Sequence, residues 1–379
     1  MRRLHYLFVS DGNAPYGSRP HWDPSFPSEN HFAGNLLTEG FWYLWKRCLE
    51  EKIIDDCTIW VESTRSPGIK AYGPNYRCRV TPDISYFLDF LLPGDIVFVR
   101  GGFRSWFVML NEQIAGKHWI LFYQAATNRG NWLFWDVVFN DLIDKSQYDP
   151  HGRFHLQFHK PTSPEIFHPR KIKKMFDICV GASHIHDKKG QWKTVKMLKA
   201  YREIYGKHLC SVLPGRGISG GKTAEMWTEL PDLDISTPGM VDRTTMCDIY
   251  NMSRLFIHLG GAGQNDRGVL EALTCGTPVL LAQLKYHAPI TYANPRVSFV
   301  TRNADNPYEL AKEVHEILEK TNGIKDEVAQ WYEEECGVDK MVDQMRQLFE
   351  VLSHKPDRSL CKTLLNISRS LSELSSSPG

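Results

Sequence analysis

An α/β protein built as two halves with mostly parallel sheets is the architecture this sequence predicts, and three observations carry it. Short apolar runs alternate with amphipathic helical patterns along the chain, the signature of repeated β/α units. Near residue 160 the alternation breaks into Pro- and Lys-rich chain, and then it restarts. Late in the second half stands a unit that reads strand, glycine-rich loop, helix, turn, strand: Leu255 to Leu259, Gly260-Gly261-Ala262-Gly263, Val269 to Thr274, and Val279 to Leu281. Such a unit aims a helix N-terminus and bare backbone amides at one spot, which suits an anion such as a diphosphate.

Taken in order, Leu4 to Val9 reads as a buried strand, and a loop rich in Gly, Pro and Ser follows it. A helix begins near Asn30 and carries Phe32, Leu36, Leu37, Phe41, Leu44 and Trp45 at helical spacing. Cys57 to Val61, Asp95 to Val99 and Trp119 to Tyr123 are further strands. Lys160-Pro161-Thr162-Ser163-Pro164 has the chemistry of an extended linker, and the stretch from His168 to Lys174 is locally basic. Beyond it the spacing predicts a strand at Phe176 to Val180, a helix at Trp192 to Ile204 and a strand at Leu209 to Leu213. A helix at Arg243 to Met252 leads into the glycine-loop unit, where Gly276 suits a helix C-terminus and Pro278 stops the helix. Helical patterns at Pro307 to Glu319 and Lys340 to Leu352 close the chain. The expected organisation is a first domain over residues 1–165 and a second over 166–338. A C-terminal helix over 339–369 packs back on the first domain, and residues 370–379 form a disordered serine-rich tail.

With 379 residues the chain is long enough for two domains. A net charge of +1 gives no global field of the kind that marks nucleic-acid binders. Nine cysteines, odd in number and without a C-x-x-C pair, read as reduced, mostly buried thiols in a reducing compartment, so a cytoplasmic location is expected. The apolar run behind the two N-terminal arginines is too short for a secretory leader, and no run approaches the roughly 18 apolar residues of a membrane span.

Five pieces of the second half, in order, resemble the retaining GT-B glycosyltransferases of the group that includes sucrose-phosphate synthase. Lys160-Pro161 through Phe167-His168-Pro169 resembles that family's interdomain linker. Cys179-Val180-Gly181-Ala182-Ser183 with Asp187-Lys188-Lys189-Gly190 resembles its V-G-R-L…K-G opening. Gly239-Met240-Val241 resembles the turn beside the nucleotide base, and Tyr250 to Ile257 resembles Y-x-x-A-D-V-x-V. Glu271 to Val279 resembles E-A-x-A-C-G-T-P-V. The resemblance implies a GT-B fold, two Rossmann-like domains facing each other across a cleft. It implies a UDP- or GDP-sugar as donor and metal-independent transfer with retention to a hydroxyl acceptor such as a glycan, a lipid-linked sugar or a metabolite.

Residue by residue, the resemblance places Glu271 on the ribose and the amides of Val269 and Leu270, with Arg267 and Gly268, on the diphosphate. Lys189 sets an ammonium against the departing phosphate, and Ser183 and Val241 border the nucleotide. Two positions depart from the pattern. Gly263 stands where the family has a sugar-facing glutamate, and Ala182 stands where it has an arginine. Asp266 or Gln264 could compensate near the sugar and Arg216 near the phosphate, although Asp266 also suits a helix N-cap. On the acceptor side Asp11, Gly12, Asn13, His31 and Gln124 are candidates, because they follow first-half strands or open the next helix.

Other motifs carry less. The Gly215 to Thr223 loop imitates a Walker A sequence, but Arg216 occupies a required glycine position. His151, His155 and His159 recur every four residues within a strand-like alternation, which argues against a metal face. Asp232-Leu233-Asp234 reads as surface. Two alternatives stay open: a transferase acting on a hydroxylated base in DNA, and a non-catalytic GT-B protein that binds a nucleotide-sugar or glycan. The balanced charge argues against the DNA reading.

Overall fold

The computed structural model describes residues 2–8, 40–62, 68–100, 108–124, 136–140, 154–181, 189–215, 232–239, 241–260, 266–283 and 293–354. The chain divides into two compact units, Met1–His159 with Asp339–Gly379, and Lys160–Val338.

Unit 1 is built on an eight-stranded sheet. Its strands are β1 (Arg3–Phe8), β2 (Asp56–Glu62), β3 (Gly68–Gly73), β4 (Tyr76–Thr81), β5 (Ile96–Arg100), β6 (Trp119–Gln124), β7 (Val137–Asn140) and β8 (Phe154–Gln157), in the order β3-β4-β2-β1-β5-β6-β7-β8. Every pairing is parallel except the β3–β4 hairpin. The central strands are near-continuous apolar runs because helices and turns cover both faces of a parallel sheet. Helix α1 (Gly40–Glu50) buries Phe41, Leu44, Trp45 and Cys48, one stripe at helical spacing. Phe32, Leu36 and Leu37, the earlier members of the predicted helix, lie outside the described residues.

One polar network sits inside this core. The Trp60 indole N–H donates to His5 Nδ1 at 3.1 Å, so His5 Nε2 carries the proton and donates to Asp95 Oδ2 at 2.9 Å. The backbone amide of Leu92 also donates to Asp95 at 2.8 Å. Every polar atom in this chain of contacts is paired, which is the condition for tolerating it in a core.

Unit 2 carries a six-stranded, all-parallel sheet: β9 (Phe176–Val180), β10 (Ser211–Val212), β11 (Ile235–Ser236), β12 (Ser253–His258), β13 (Val279–Ala282) and β14 (Ser298–Thr301). The order β11-β10-β9-β12-β13-β14 is that of a dinucleotide-binding sheet, and its topological switch point lies between β9 and β12. The helices of this unit are α2 (Gln191–Tyr205), α3 (Arg243–Met252), α4 (Arg267–Thr274), α5 (Pro307–Lys320) and α6 (Lys325–Cys336). Alternate strand residues face opposite sides. Ile178, Val180, Leu255, Ile257 and Leu280 pack with α2 and α5. Cys179, Phe256, Val279 and Leu281 pack with α3, α4 and α6.

The segment read from sequence as an extended linker is a packed part of unit 2. Thr162 and Ser163 are buried, and Thr162 Oγ1 lies 3.0 Å from both Thr274 Oγ1 and Tyr332 Oη. After α6 a last helix, α7 (Val338–His354), buries Met341, Val342, Met345, Leu348, Phe349 and Leu352. Arg47 pairs with Asp339 at 2.8 Å and Glu51 pairs with Arg346, which ties α7 to α1 within unit 1. The tail over 370–379 lies outside the described residues, and no described helix is long and apolar enough to cross a membrane.

Candidate functional site

The switch point of the unit 2 sheet is where the predicted residues of this unit meet. Strand β12 ends at His258, and eight residues later stands Asp266, the N-cap of helix α4. One carboxylate oxygen of Asp266 accepts from the Gly268 amide at 2.9 Å, and the backbone carbonyl of Asp266 accepts from the Val269 amide at 3.0 Å. Two of the first-turn amides expected on a diphosphate are therefore satisfied internally by Asp266. The Val269 and Leu270 side chains are core.

The other oxygen of Asp266 faces two partners, His258 Nε2 at 2.9 Å and the Lys189 ammonium, with which it forms an ion pair. Lys189 is placed from its own backbone as well, since its carbonyl accepts from the Leu259 amide at 3.1 Å. Gly190 follows with a left-handed φ of +75° and opens α2. Burial lowers the pKa of Lys189 to about 8, with the charges of Lys160 and Arg267 acting in the same sense and Glu271 opposing them. Burial, reinforced by the Lys189 charge, lowers the pKa of His258 to about 3, so its imidazole is neutral. The contact between His258 and Asp266 is therefore a hydrogen bond and not an ion pair.

Glu271, one turn into α4, is not an exposed helix carboxylate. Its side chain is 2 % exposed. Arg243, the first residue of α3, pairs with one oxygen, and Arg267 Nε stands 3.7 Å from the same atom. The Tyr250 hydroxyl approaches the other oxygen at 3.4 Å. The Arg243 guanidinium also lies over the Phe167 ring at 4.7 Å. A buried carboxylate is sustained only by partners of this kind, and two guanidinium groups supply them. Val241 precedes Asp242, the N-cap of α3, whose carboxylate accepts from the Thr245 amide at 2.7 Å.

Lys189, Asp266, Arg267, Gly268 and Glu271 thus share one locality, and the structure adds Lys160, Arg243, Tyr250 and His258, which no sequence motif marks as site residues. Gln124 ends β6 in unit 1. Ser183, Arg216, Gly263, Gln264, Asp11, Gly12, Asn13 and His31 lie outside the described residues. Among the described residues no group of three or more His, Cys, Asp or Glu side chains is placed to hold a metal ion. His155 lies on strand β8, so the four-residue histidine repeat does not make a helical face.

No family model matches the sequence, and no curated protein matches it. Solved structures do match in three dimensions. Sucrose-phosphate synthase from Thermosynechococcus elongatus superposes with a TM-score of 0.59 at 12% identity over 93% of this chain and 99% of that one. The E. coli structure described as trehalose-6-phosphate bound with UDP-2-fluoro glucose gives 0.61 at 8% identity, over 91% and 99%. A mutant of S. aureus TarM in complex with Fondaparinux, alpha-GlcNAc-glycerol and UDP gives 0.55 at 11% identity. That match covers 70% of this chain, which spans only 57% of the TarM chain.

The chain has the GT-B fold. Its strand order and its two α/β units agree with that fold, and the identities of 8–12% extend the likeness no further than the fold. Within this GT-B chain the cationic groups Lys160, Lys189, Arg243 and Arg267 gather around the start of α4 and the buried Glu271. Chemically, that is a locality suited to a polyanion with attached hydroxyl groups.

Proposed function

We propose that this protein is a glycosyltransferase that binds a nucleoside diphosphate sugar on unit 2 and moves the sugar to a hydroxyl acceptor with retention of configuration. The observation that carries this reading is the convergence of Lys189, Arg243, Arg267 and Glu271 at the switch point of a GT-B sheet. Lys189 stabilises the charge that develops on the leaving phosphate, a contribution worth about 10²–10³ in rate for a well-placed donor. Glu271 accepts from the paired ribose hydroxyls, which replace one of its two guanidinium contacts. A UDP-sugar is the first donor to test, because two of the structural neighbours were solved with UDP or a UDP-sugar. A glycan, lipid-linked sugar or metabolite is the acceptor class. A reducing, cytoplasmic setting is part of the same reading, supported by the free state of the eight described cysteines.

A thermal-shift panel of UDP- and GDP-sugars, followed by nucleotide release for each hit, tests the proposal. At least one sugar nucleotide is expected to raise Tm and to turn over. Lys189→Ala and Glu271→Ala are each expected to cut turnover by about two orders of magnitude or more in folded protein. Near-normal turnover in both variants would overturn the assignment, as would the absence of any nucleotide response.

A further inference from the structure

His258 is buried at the carboxyl end of β12, directly after the apolar residues Leu255, Phe256 and Ile257, with a side chain that is 0% exposed. Its two ring nitrogens face different partners. The Gly260 amide, an obligate donor, points at Nδ1 from 3.4 Å, so Nδ1 is the acceptor and the proton sits on Nε2. Nε2 therefore donates to Asp266 at 2.9 Å. The ring rests on bare backbone: a Cβ on Gly181 would stand 3.1 Å from His258 Cδ2. On either side of the histidine, Ile257 accepts from the Gly181 amide at 2.7 Å, and Leu259 donates to the Lys189 carbonyl. The backbone of Lys189 and the partner of its ammonium thus both lead back to this one turn of chain.

We propose that His258 is a positioning residue that holds the Asp266 carboxylate where it fixes the Lys189 ammonium. This inference rests on the reading of Lys189 as the cation facing the leaving phosphate. A neutral donor suits the role, since it orients the carboxylate without competing with Lys189 for its charge, as a cationic partner would. Asp266 is then a fixed joint between three segments, Lys189 on the approach to α2, the end of β12 and the first turn of α4, and it is not a stand-in for the sugar-facing carboxylate missing at Gly263. An apolar residue at 258 would leave the Gly260 amide without its side-chain acceptor and would let the carboxylate turn with the lysine.

Three variants separate positioning from packing. His258→Gln keeps an N–H near the Nε2 position, His258→Asn keeps a polar group near Nδ1 but cannot reach Asp266, and His258→Leu keeps only volume. The first readout needs no sugar nucleotide: acetylation of Lys189 by acetic anhydride, followed by mass spectrometry. Labelling is expected to be several-fold faster than wild type in the Asn and Leu variants and close to wild type in the Gln variant. The second readout is kinetic. The Asn and Leu variants should lose about 10²-fold in kcat while the donor KM changes little, and Gln should restore most of the rate. Equal Lys189 labelling across the folded variants would overturn the proposal. A Gln variant as slow and as easily labelled as Leu, at unchanged Tm, would do so too. Should the Leu variant fail to fold, the Gln–Asn comparison still separates positioning from packing. A wild-type protein without turnover would count against the transferase reading, whereas labelling still decides the role of His258.

Discussion

Gly190 shows how one residue constrains the candidate site. Its φ of +75° is costly for any residue with a side chain, and a Cβ there would lie 2.6 Å from the backbone carbon of Leu259. Gly190→Ala should therefore lower stability by at least about 1–2 kcal/mol from the backbone conformation alone. It should also push Lys189 away from β12, since Leu259 is the residue that holds the Lys189 carbonyl. Urea denaturation together with Lys189 labelling checks both effects, and wild-type values in each would contradict this account. At this scale the sequence was readable where a residue sits inside a motif. Lys189, Asp266 and Glu271 stand in recognisable strings and are brought together. His258 was concealed because Leu255 to Leu259 reads as a buried strand, and its polar member looks like a tolerated exception. Arg243 was concealed as the first residue of an ordinary amphipathic helix. A carboxylate as deeply buried as Glu271 requires a cationic partner, but nothing in the local pattern says that the partner lies 28 positions upstream.

Elements with strong hydrophobic periodicity were legible nearly to their ends. Phe176–Val180 and Arg243–Met252 match the bounds read from sequence, and the strands at β2, β5, β6 and β13 match to within a residue or so. What escaped was the short buried run of β7, Val137–Asn140, and structure without an apolar stripe. The β3–β4 hairpin sets Ile69 opposite Arg79 and leaves Ile69 60% exposed, so no run of apolar residues announces it. Helix α6 buries only Val328, Tyr332 and Cys336 in a strongly acidic sequence, and β14 is four residues long. The closing helix α7 was visible from its pattern, and its energetics belong to this scale. Phe349 is fully buried there, so Phe349→Ala should cost about 3–5 kcal/mol, read as a lower urea midpoint at constant protein concentration. A shift below about 1 kcal/mol would mean that α7 is not an integral part of the unit 1 core.

For the molecule as a whole, pH is a direct probe of the buried histidines. His258 titrates near 3 in the folded protein because burial, aided by Lys189, disfavours its charged form, whereas an unfolded histidine titrates near 6.5. The unfolded chain therefore binds the extra proton between these values. The contribution of His258 to the stability of unit 2 is full above about pH 6.5 and is lost as pH drops toward 3, by up to about 1.4 kcal/mol per pH unit. In unit 1, burial and the Lys340 charge lower His159 to about 4, with the same sign. Asp136, which burial raises to about 6, opposes it there, because an acid with a raised pKa gains stability as it is protonated. Urea midpoints measured from pH 7 to 4 should therefore decline for unit 2 and change less for unit 1. A flat unit 2 profile would show that His258 is not held neutral in the fold.

The return of the chain to unit 1 through α7 has a consequence for synthesis. Unit 2 is spelled out entirely between Lys160 and Val338, whereas unit 1 is finished only when the residues up to His354 have emerged. On the ribosome, the half that begins second is complete first. Until the last helix arrives, the half that begins first waits with the sites for Met345, Leu348 and Phe349 unfilled. The segments that lead into and out of the inserted unit are stitched together at Thr162 and Tyr332, so the insertion can close on itself without its host. The unit that begins first in the sequence is thus the one whose residues are completed last.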